Sequence, residues 1–550
     1  MIKVFHDKQF RKDLLSLAFP VIGQEILNQL FNVSSAIIVL TIFSLLYGST
    51  TGSNAFNGTS SANDIFNIFN ILQLSFVFAG TAFSAQFIGK KDTQSVRKIF
   101  NLSCKISLLL AVIFMVVSMI WPAEIISGLT GGSGNIQFGA DYLRIFSIAF
   151  VFRALSSIYF YSLKNAKKNK LIVILSISVF VTNVGLTSGF CFIPMANPSM
   201  GPAIAAVLTR AIELILLICF TWKMEETKFS LKYFLHTDPE MLGQYMKYTV
   251  ALLASRILWG VGNMLMSKIV INHITYSSAD DPTGSLTQAL ITANNTVATV
   301  RGLVNCSTAG ITAATSVLIG RELGANELRK ANEHSKDVMR FLKVLAVFNI
   351  AMSFAYAPLF MINTLSKQSS DFDVASFTRF VWMFSGIYAI NYFAQVHNAV
   401  INDSFFTGGG DKKAMFMANG LFMWGFIVPL GTTAFFLKWN PIIVFTICSS
   451  EELVKCWANI LRYYQRTWVR NIVDLEANKM TNFEYKYIKA KKEVLVTFDY
   501  KTINNMKYHV KLNKPVKDPI AYTQELLLQK EENKKLVKFA NRSFKLAINQ

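Results

Sequence analysis

The sequence predicts an all-α polytopic membrane protein, with twelve transmembrane helices in two six-helix lobes and a small cytoplasmic C-terminal tail. Three observations carry this reading. The 550 residues are 52% hydrophobic, with a mean hydropathy of +0.37, more apolar surface than a water-soluble chain of this length hides. The apolar residues gather into runs that reach the ~20 residues needed to cross a bilayer core. One phrase is also written twice: Gly80-Thr-Ala-Phe-Ser-Ala-Gln-Phe-Ile-Gly89 before Arg97 and Lys98, and Gly310-Ile-Thr-Ala-Ala-Thr-Ser-Val-Leu-Ile-Gly320 before Arg329 and Lys330. A repeat inside an apolar chain implies two similar bundles in tandem with a substrate site between them.

The twelve runs are 14–47, 66–88, 100–121, 141–163, 171–193, 203–222, 248–275, 288–320, 341–363, 380–405, 414–437 and 441–461. Lipid offers backbone groups no hydrogen bonds, so each run is read as a helix. The first and eighth are long enough to tilt or to begin outside the bilayer. The polar break at 223–247 divides an N-lobe, residues 1–235, from a C-lobe, residues 236–466. An even number of helices per lobe relates the two by an axis along the membrane normal.

Loops 48–65, 122–140, 194–202 and 276–287 contain no Lys or Arg, whereas the alternate loops are basic, as at Lys90, Lys91, Lys164, Lys167, Arg321, Lys412 and Lys413. The positive-inside rule then puts both termini in the cytoplasm of a multi-pass cell-membrane protein. Orientation and anionic headgroups account for the net charge of +21, and no nucleic-acid-binding motif accompanies it. The six cysteines lie in apolar runs without metal-ligand spacing, so no metal site is expected.

Residues 467–550 are charged and contain no spanning run. Val494–Tyr500 alternates like a strand, with 506–512 as its hairpin partner, and 519–548 reads as a basic amphipathic helix resting on headgroups.

Several phrases in order carry a family resemblance. They are Pro20, Gln86-Phe-Ile-Gly89-Lys-Lys-Asp92, Met200-Gly-Pro-Ala-Ile-Ala-Ala206 and Trp259-Gly-Val-Gly262 in the first part of the chain. Ile319-Gly-Arg-Glu-Leu-Gly-Ala-Asn326, Gly409-Gly-Asp-Lys-Lys413 and Trp424-Gly-Phe-Ile-Val-Pro-Leu430 follow. Across about 10–465 the chain resembles the multidrug and toxic compound extrusion (MATE) family of secondary transporters. The resemblance implies a V-shaped pair of lobes and export of small organic molecules or xenobiotics by alternating access, driven by inward flow of Na⁺ or H⁺. It implies no catalytic residue and no cofactor beyond that coupling cation. The expected partners are a small-molecule substrate and membrane lipids, with no nucleic acid, and the expected state is a monomer. The alternative is a flippase of the same wider superfamily acting on a lipid-linked or anionic amphiphile. Two acidic positions of the family pattern are missing: the first helix reads Asn32-Val-Ser34-Ser35, and the seventh reads Ser255-Arg256 ahead of its tryptophan.

Ionisable groups at bilayer depth cost roughly 2.5–3.5 kcal/mol each on insertion scales, so they face a cavity or a partner. The first helix carries Gln24, Glu25, Asn28 and Asn32 at helical spacing, and Glu25 is the first ion-coupling candidate, with pairing to a cation as its structural counterpart. The tenth carries Tyr388, Asn391, Gln395, Asn398 and Asn402, read as cavity lining; the eighth contributes Asn295 and Arg301. Arg210 with Glu213, and Glu451 and Glu452 with Lys455, read as self-neutralised pairs, Glu451 remaining the second coupling candidate. Counting Arg153, Arg210, Arg256, Lys268, Arg301 and Lys455 against Glu25, Glu213, Glu451 and Glu452, the interior leans positive. That balance points to an anionic, zwitterionic or lipid-like substrate rather than a cationic dye.

Overall fold

The computed structural model describes residues 5–130, 136–193, 195, 197–277, 285–365, 372–473, 480–488, 493–500, 506–512 and 545–548. The first lobe is built from α1 (Lys8–Tyr47), α2 (Ser49–Gly89), α3 (Thr93–Ile120), α4 (Pro122–Thr130), α5 (Ile136–Phe146), α6 (Ala149–Asn165), α7 (Asn169–Cys191) and α8 (Met200–Thr221). Short α9 (Leu231–Leu235) lies in the link. The second lobe comprises α10 (Pro239–Ser277), α11 (Ser285–Gly324), α12 (Leu328–Leu365), α13 (Val374–Val400), α14 (Lys412–Phe416), α15 (Val428–Phe436), α16 (Pro441–Ser449) and α17 (Glu451–Tyr464). Caps set several starts: Asp7 accepts from the Gln9 and Phe10 amides at 2.7 and 3.2 Å, Asp92 from Ser95 at 3.0 Å and Asp373 from Ser376 at 3.0 Å.

Each of the twelve apolar runs falls on a helix or on abutting helices. Among the described residues nine helices are long and apolar enough to cross a membrane, ten if α5 and α6 form one span. Those two meet at a 50° bend. There the Ser147 hydroxyl donates to the Arg144 carbonyl at 2.8 Å, competing with the helix ladder. Run 380–405 passes from α13 into a π-helical stretch, Ile401–Phe406, and 414–437 holds two more, Met417–Leu421 and Met423–Ile427.

The C-terminal extension carries a four-stranded sheet, β1 (Met480–Ile488), β2 (Glu493–Tyr500), β3 (Met506–Leu512) and β4 (Lys545–Ile548), in that spatial order. The expected hairpin is present: β2 pairs antiparallel with β3, Val494 opposite Leu512. The helix expected over 519–548 is corrected at its end, where 545–548 forms a strand parallel to β3. The rest of that stretch lies outside the described residues.

The buried apolar residues explain the two-lobed shape. At the membrane face bearing Lys8 and Tyr464, one core spans both lobes, from Leu14, Ala18 and Phe83 to Val317, Leu323 and Phe405. Toward the opposite face each lobe has a core of its own, around Phe66, Phe69 and Phe150 in the first and Phe377, Phe384 and Phe445 in the second. We call the joined side the basic face, after Lys90, Lys91, Lys167, Arg321 and Lys412.

The joint is a crossing of α2 and α11, made by the twice-written phrase. Lys91 (φ 61°) and Asn326 (φ 63°) occupy the same left-handed position in the turns ending the two helices. Aligned by these turns, Gly89 corresponds to Gly324, an offset of 235 residues (89 to 324), and not to Gly320 as the phrases alone suggest. The contacts obey the same offset. A Cβ on Gly89 would lie 2.0 Å from the Arg321 carbonyl oxygen, and one on Gly324 would lie 1.9 Å from that of Gln86. Gly320 faces its own counterpart, Ala85, with 2.8 Å between a built Cβ and the alanine methyl. Gly89 and Gly324 are required because backbone occupies the space a side chain would take. We predict that Gly324→Val lowers the thermal midpoint of the detergent-solubilised protein, by an overpacking cost of about 1–3 kcal/mol. Gly185→Ala, with nothing within 4 Å of its built Cβ, should cause no loss in the same assay.

Candidate functional site

The first lobe encloses a cavity of about 220 Å³ walled by α1, α2, α5, α7 and α8. Its polar lining includes Ser35, Asn63, Asn67, Tyr142, Asn183 and Thr187, with Phe31, Phe66 and Phe146 among the apolar residues. Ser35 and Asn183 bond each other, the serine hydroxyl donating at 3.0 Å. Arg210 is the one charged side chain on the wall. Its guanidinium lies 4.5 Å from the Phe31 ring centre and 2.9 Å from Glu213.

Behind Arg210 the charges alternate. Glu213 lies 3.9 Å from Arg153, which donates to the Asn70 carbonyl oxygen at 3.3 Å and is within coulombic reach of Glu25. Glu25 in turn lies 3.9 Å from Lys164 and accepts from Asn28 at 3.5 Å. Lys164, Arg153 and Arg210 therefore share two carboxylates, Glu25 and Glu213, leaving one positive charge, and the chain's cavity end is Arg210.

The second lobe holds the opposite excess. Lys455 lies 3.0 Å from Glu451 and 2.9 Å from Glu452, so one buried ammonium faces two carboxylates. Asn398 donates to Glu452 at 2.8 Å and accepts from Asn459 at 2.8 Å, while Asn263 bonds Glu451. Arg256, on the seventh apolar run, pairs with Asp403 and covers the Phe78 ring of the first lobe at 4.9 Å. Arg301 has no carboxylate partner among the described residues; its guanidinium sits 4.8 Å from the Tyr388 ring centre. No group of His, Cys, Asp and Glu suited to a metal ion occurs among the described residues.

The lobes are also latched at the basic face by polar side chains obeying the repeat. Gln86 donates to the Gly408 carbonyl at 2.7 Å, and its counterpart Arg321 donates to the Asn165 carbonyl, so each reaches the end of a helix in the other lobe. His334 on α12 bridges Glu322 at 2.6 Å and Asp7 at 3.3 Å, and stacks on Phe10 with ring centres 4.0 Å apart. Asp411 caps α14 and holds Arg462 at 3.0 Å together with the Thr467 hydroxyl.

The candidate residues fall out differently from the polar stripes that suggested them. Glu25 is a paired acid, and Asn28 is bonded to it. Gln24 is buried, its side-chain oxygen without a bond among the described residues, and the side chain of Asn32 lies outside them. Asn391 is buried and donates to its own helix at 3.1 Å; Gln395 is half-buried; Asn398 joins α13 to α17 instead of lining open space. Asn295 is exposed, and Tyr388 packs edge-on against Phe445 at 5.6 Å. His397 is packed, bonding the Phe393 carbonyl at 2.7 Å. Asp403 is the partner of Arg256. Asp64 went unrecognised because the apolar run starts at 66; α2 begins at Ser49, which carries Asp64 into the helix beside the cavity residues Asn63 and Asn67.

This arrangement defines a class, a two-lobed helical membrane protein with a polar cavity inside the spans of its first lobe. The MatE family model matches residues 26–188, within the first lobe, and MATE proteins are transporters rather than enzymes. No curated protein is similar to the chain in sequence. Among solved structures, a mutant of the Vibrio cholerae MATE transporter VcmN superposes with a TM-score of 0.70 at 14% identity, covering 84% of this chain and 98% of that one. The eukaryotic MATE transporter AtDTX14 gives 0.67 at 14% identity, with 84% and 98% covered. A transporter of the MOP superfamily from Pyrococcus furiosus gives 0.68 at 13% identity, with 83% and 96% covered. At these identities the likeness establishes the fold, and that fold is the MATE fold over both lobes.

The Asp411 cluster makes a pH prediction at the basic face. Burial works to raise the Asp411 carboxyl, but hydrogen bonds from Arg462 and Thr467 overcome it and hold the group below the ordinary carboxylate range. Its stabilising contribution is then full above the unfolded carboxyl value of about 3.9 and is lost as pH falls through the lowered native value. Asp411→Asn should remove about 1.5–3 kcal/mol at neutral pH, read as a lower thermal midpoint, and should flatten the acid limb of the midpoint against pH.

Proposed function

We propose that the protein is an ion-coupled exporter of small organic molecules that works by alternating access, with the basic face in the cytoplasm of the cell membrane and lobes divided near residue 235. The crossing of α2 and α11 closes the cytoplasmic side; opening it and closing the far side moves the cargo. Coupling acts through differential affinity of the two states for the ion.

The observation that carries the reading is the opposite sign of the two interiors. In the second lobe, Glu451 and Glu452 share a single Lys455, so one cation, a proton or Na⁺, neutralises the triad. Glu25 already has Lys164 and is the weaker coupling candidate. In the first lobe the excess is positive and ends at Arg210 beside phenyl rings, a chamber suited to an organic anion with an apolar body. The Pyrococcus furiosus transporter of similar fold is described as having a binding pocket of reversed polarity that suggests a different function. The same positive chamber favours the second reading, a flippase that takes the anionic headgroup of an amphiphile.

Flux into proteoliposomes under imposed Na⁺ and H⁺ gradients tests both. Glu451→Gln should remove the gradient's drive, while Glu25→Gln should retain it. Arg210→Gln should weaken uptake of a small aromatic carboxylate about tenfold, the loss of roughly 1.4 kcal/mol from a charged hydrogen bond. A cationic dye carried faster than the carboxylate, with no response to Arg210→Gln or Arg301→Gln, would refute the anionic cargo. Scrambling of anionic lipid between leaflets without soluble flux would select the flippase.

A further inference from the structure

The segment after α17 does not leave the membrane domain at once. It turns through Arg466, at φ 55°, and runs across the basic face to Val473, against the crossing of α2 and α11. Trp468 is fully buried, stacked on Phe405 with ring centres 4.8 Å apart, and its indole N–H donates to the Tyr463 carbonyl at 3.3 Å. Beyond it the segment bonds both lobes. The Ile472 backbone amide donates to Oε1 of the Gln86 side chain on α2 at 2.7 Å, and Nε2 of the same side chain donates to the Arg470 carbonyl at 3.3 Å. Asn471 donates to the Gly324 carbonyl at 3.3 Å, on α11. Thr467 is tied to Asp411, and Arg470 lies 3.9 Å from the same carboxylate.

Two glycines of the turn before α14, Gly409 and Gly410, fit this segment. A Cβ on Gly409 would lie 1.5 Å from the Trp468 carbonyl oxygen, and one on Gly410, at φ +70°, would lie 2.7 Å from the Ile472 side chain. At Gly409 any side chain would collide with the backbone that passes there, and at Gly410 the left-handed φ itself favours glycine. The N-lobe's counterpart, the stretch after α8, does something else: Lys228 and Ser230 bond Arg97 and Asn101 of α3, within their own lobe. The segment after α17 therefore breaks the twofold repeat at the place where the lobes must separate.

We propose that Thr467–Val473 is a strap seated in an interlobe groove of the basic face, and that it must leave this seat before the lobes part there. It holds the transporter closed on that side and thereby sets the balance between the two access states. The proposal rests on the alternating-access reading above.

Single-cysteine labelling of the full chain in vesicles tests it, in a background with the six native cysteines replaced. Ala85→Cys reports the lobe junction, where Ala85 faces Gly320, and Val469→Cys reports the strap. Asn471→Ala removes the strap's bond to Gly324, along with the one its side-chain oxygen accepts from the Val473 amide within the strap, Ile472→Pro removes the bond to Gln86, and both spare the bond from Gln86 to Gly408. The expected result is that each variant raises labelling of both reporters by about fivefold, the equivalent of one hydrogen bond of about 1 kcal/mol. A rise at Val469→Cys with none at Ala85→Cys means that the strap leaves without opening the junction and overturns the proposal. A rise at Ala85→Cys alone, or at neither reporter, overturns it too. Reversing the ion gradient in the unmodified strap tests alternation separately: if both reporters ignore the gradient yet answer to Asn471→Ala, the transport reading fails and the strap stands. If they follow the gradient and not the variants, alternation stands and the strap fails.

Discussion

The architecture depends on how closely two helices approach at one membrane face. α2 and α11 cross with backbone against backbone, which only glycine permits, and the common core of both lobes lies around that contact. Because the crossing lies at one face, each lobe keeps its own core at the other, and the polar surfaces of α2 and α11 there carry Asn63, Asp64, Gln288 and Asn295 as exposed residues. A tight contact has few intermediate geometries: once a packed glycine surface separates by an ångström or two, its dispersion energy is largely gone. The joint is thus either closed or open, the two-state element that alternating access requires.

The charges are arranged around this joint with the same thrift. Buried ions in both lobes are paired and hydrogen-bonded, as the cost of an isolated charge at membrane depth demands. Pairing is nevertheless incomplete, and the remainder differs in sign between the lobes: two acids to three bases around Glu213, two acids to one base around Lys455. An incomplete pairing is a place where an ion of opposite charge gains energy on entering. The proposed exchange of an anion-bearing cargo for a cation rests on these two places of opposite sign.

Much of the fold was legible in the chain because the bilayer makes a coarse demand on sequence. Twelve apolar runs met helices, and the strand alternation at 494–500 met its hairpin. What hydropathy does not encode is where a helix ends in water or in a cavity, so α2 began well before its apolar run and Asp64 was missed. Polar stripes also say that a face avoids lipid without saying what it meets. On α13 the stripe divided: Asn398 went to a neighbouring helix and Tyr388 to Arg301. The register of the repeat was misread by one turn because Gly320 ends the phrase and Gly324 follows one turn later, and only the left-handed Asn326 distinguishes them. Gly409 and Gly410 entered the sequence reading only as part of a family phrase; what they fit, the Trp468 carbonyl and the Ile472 side chain, is sixty residues away and carries no matching motif.

Ala85 and Gly320 face each other at corresponding positions of the two halves. If the halves arose by duplication, their ancestor was a single lobe pairing with a second copy of itself, and this position then met its own twin across an isologous contact. In such a homodimer a glycine there leaves slack and an alanine is doubled into a clash, so neither choice is ideal. Fusion into one chain removed the obligation to choose. The pair now holds one methyl group in total, on one side only, an asymmetric filling that two identical subunits are unable to reach.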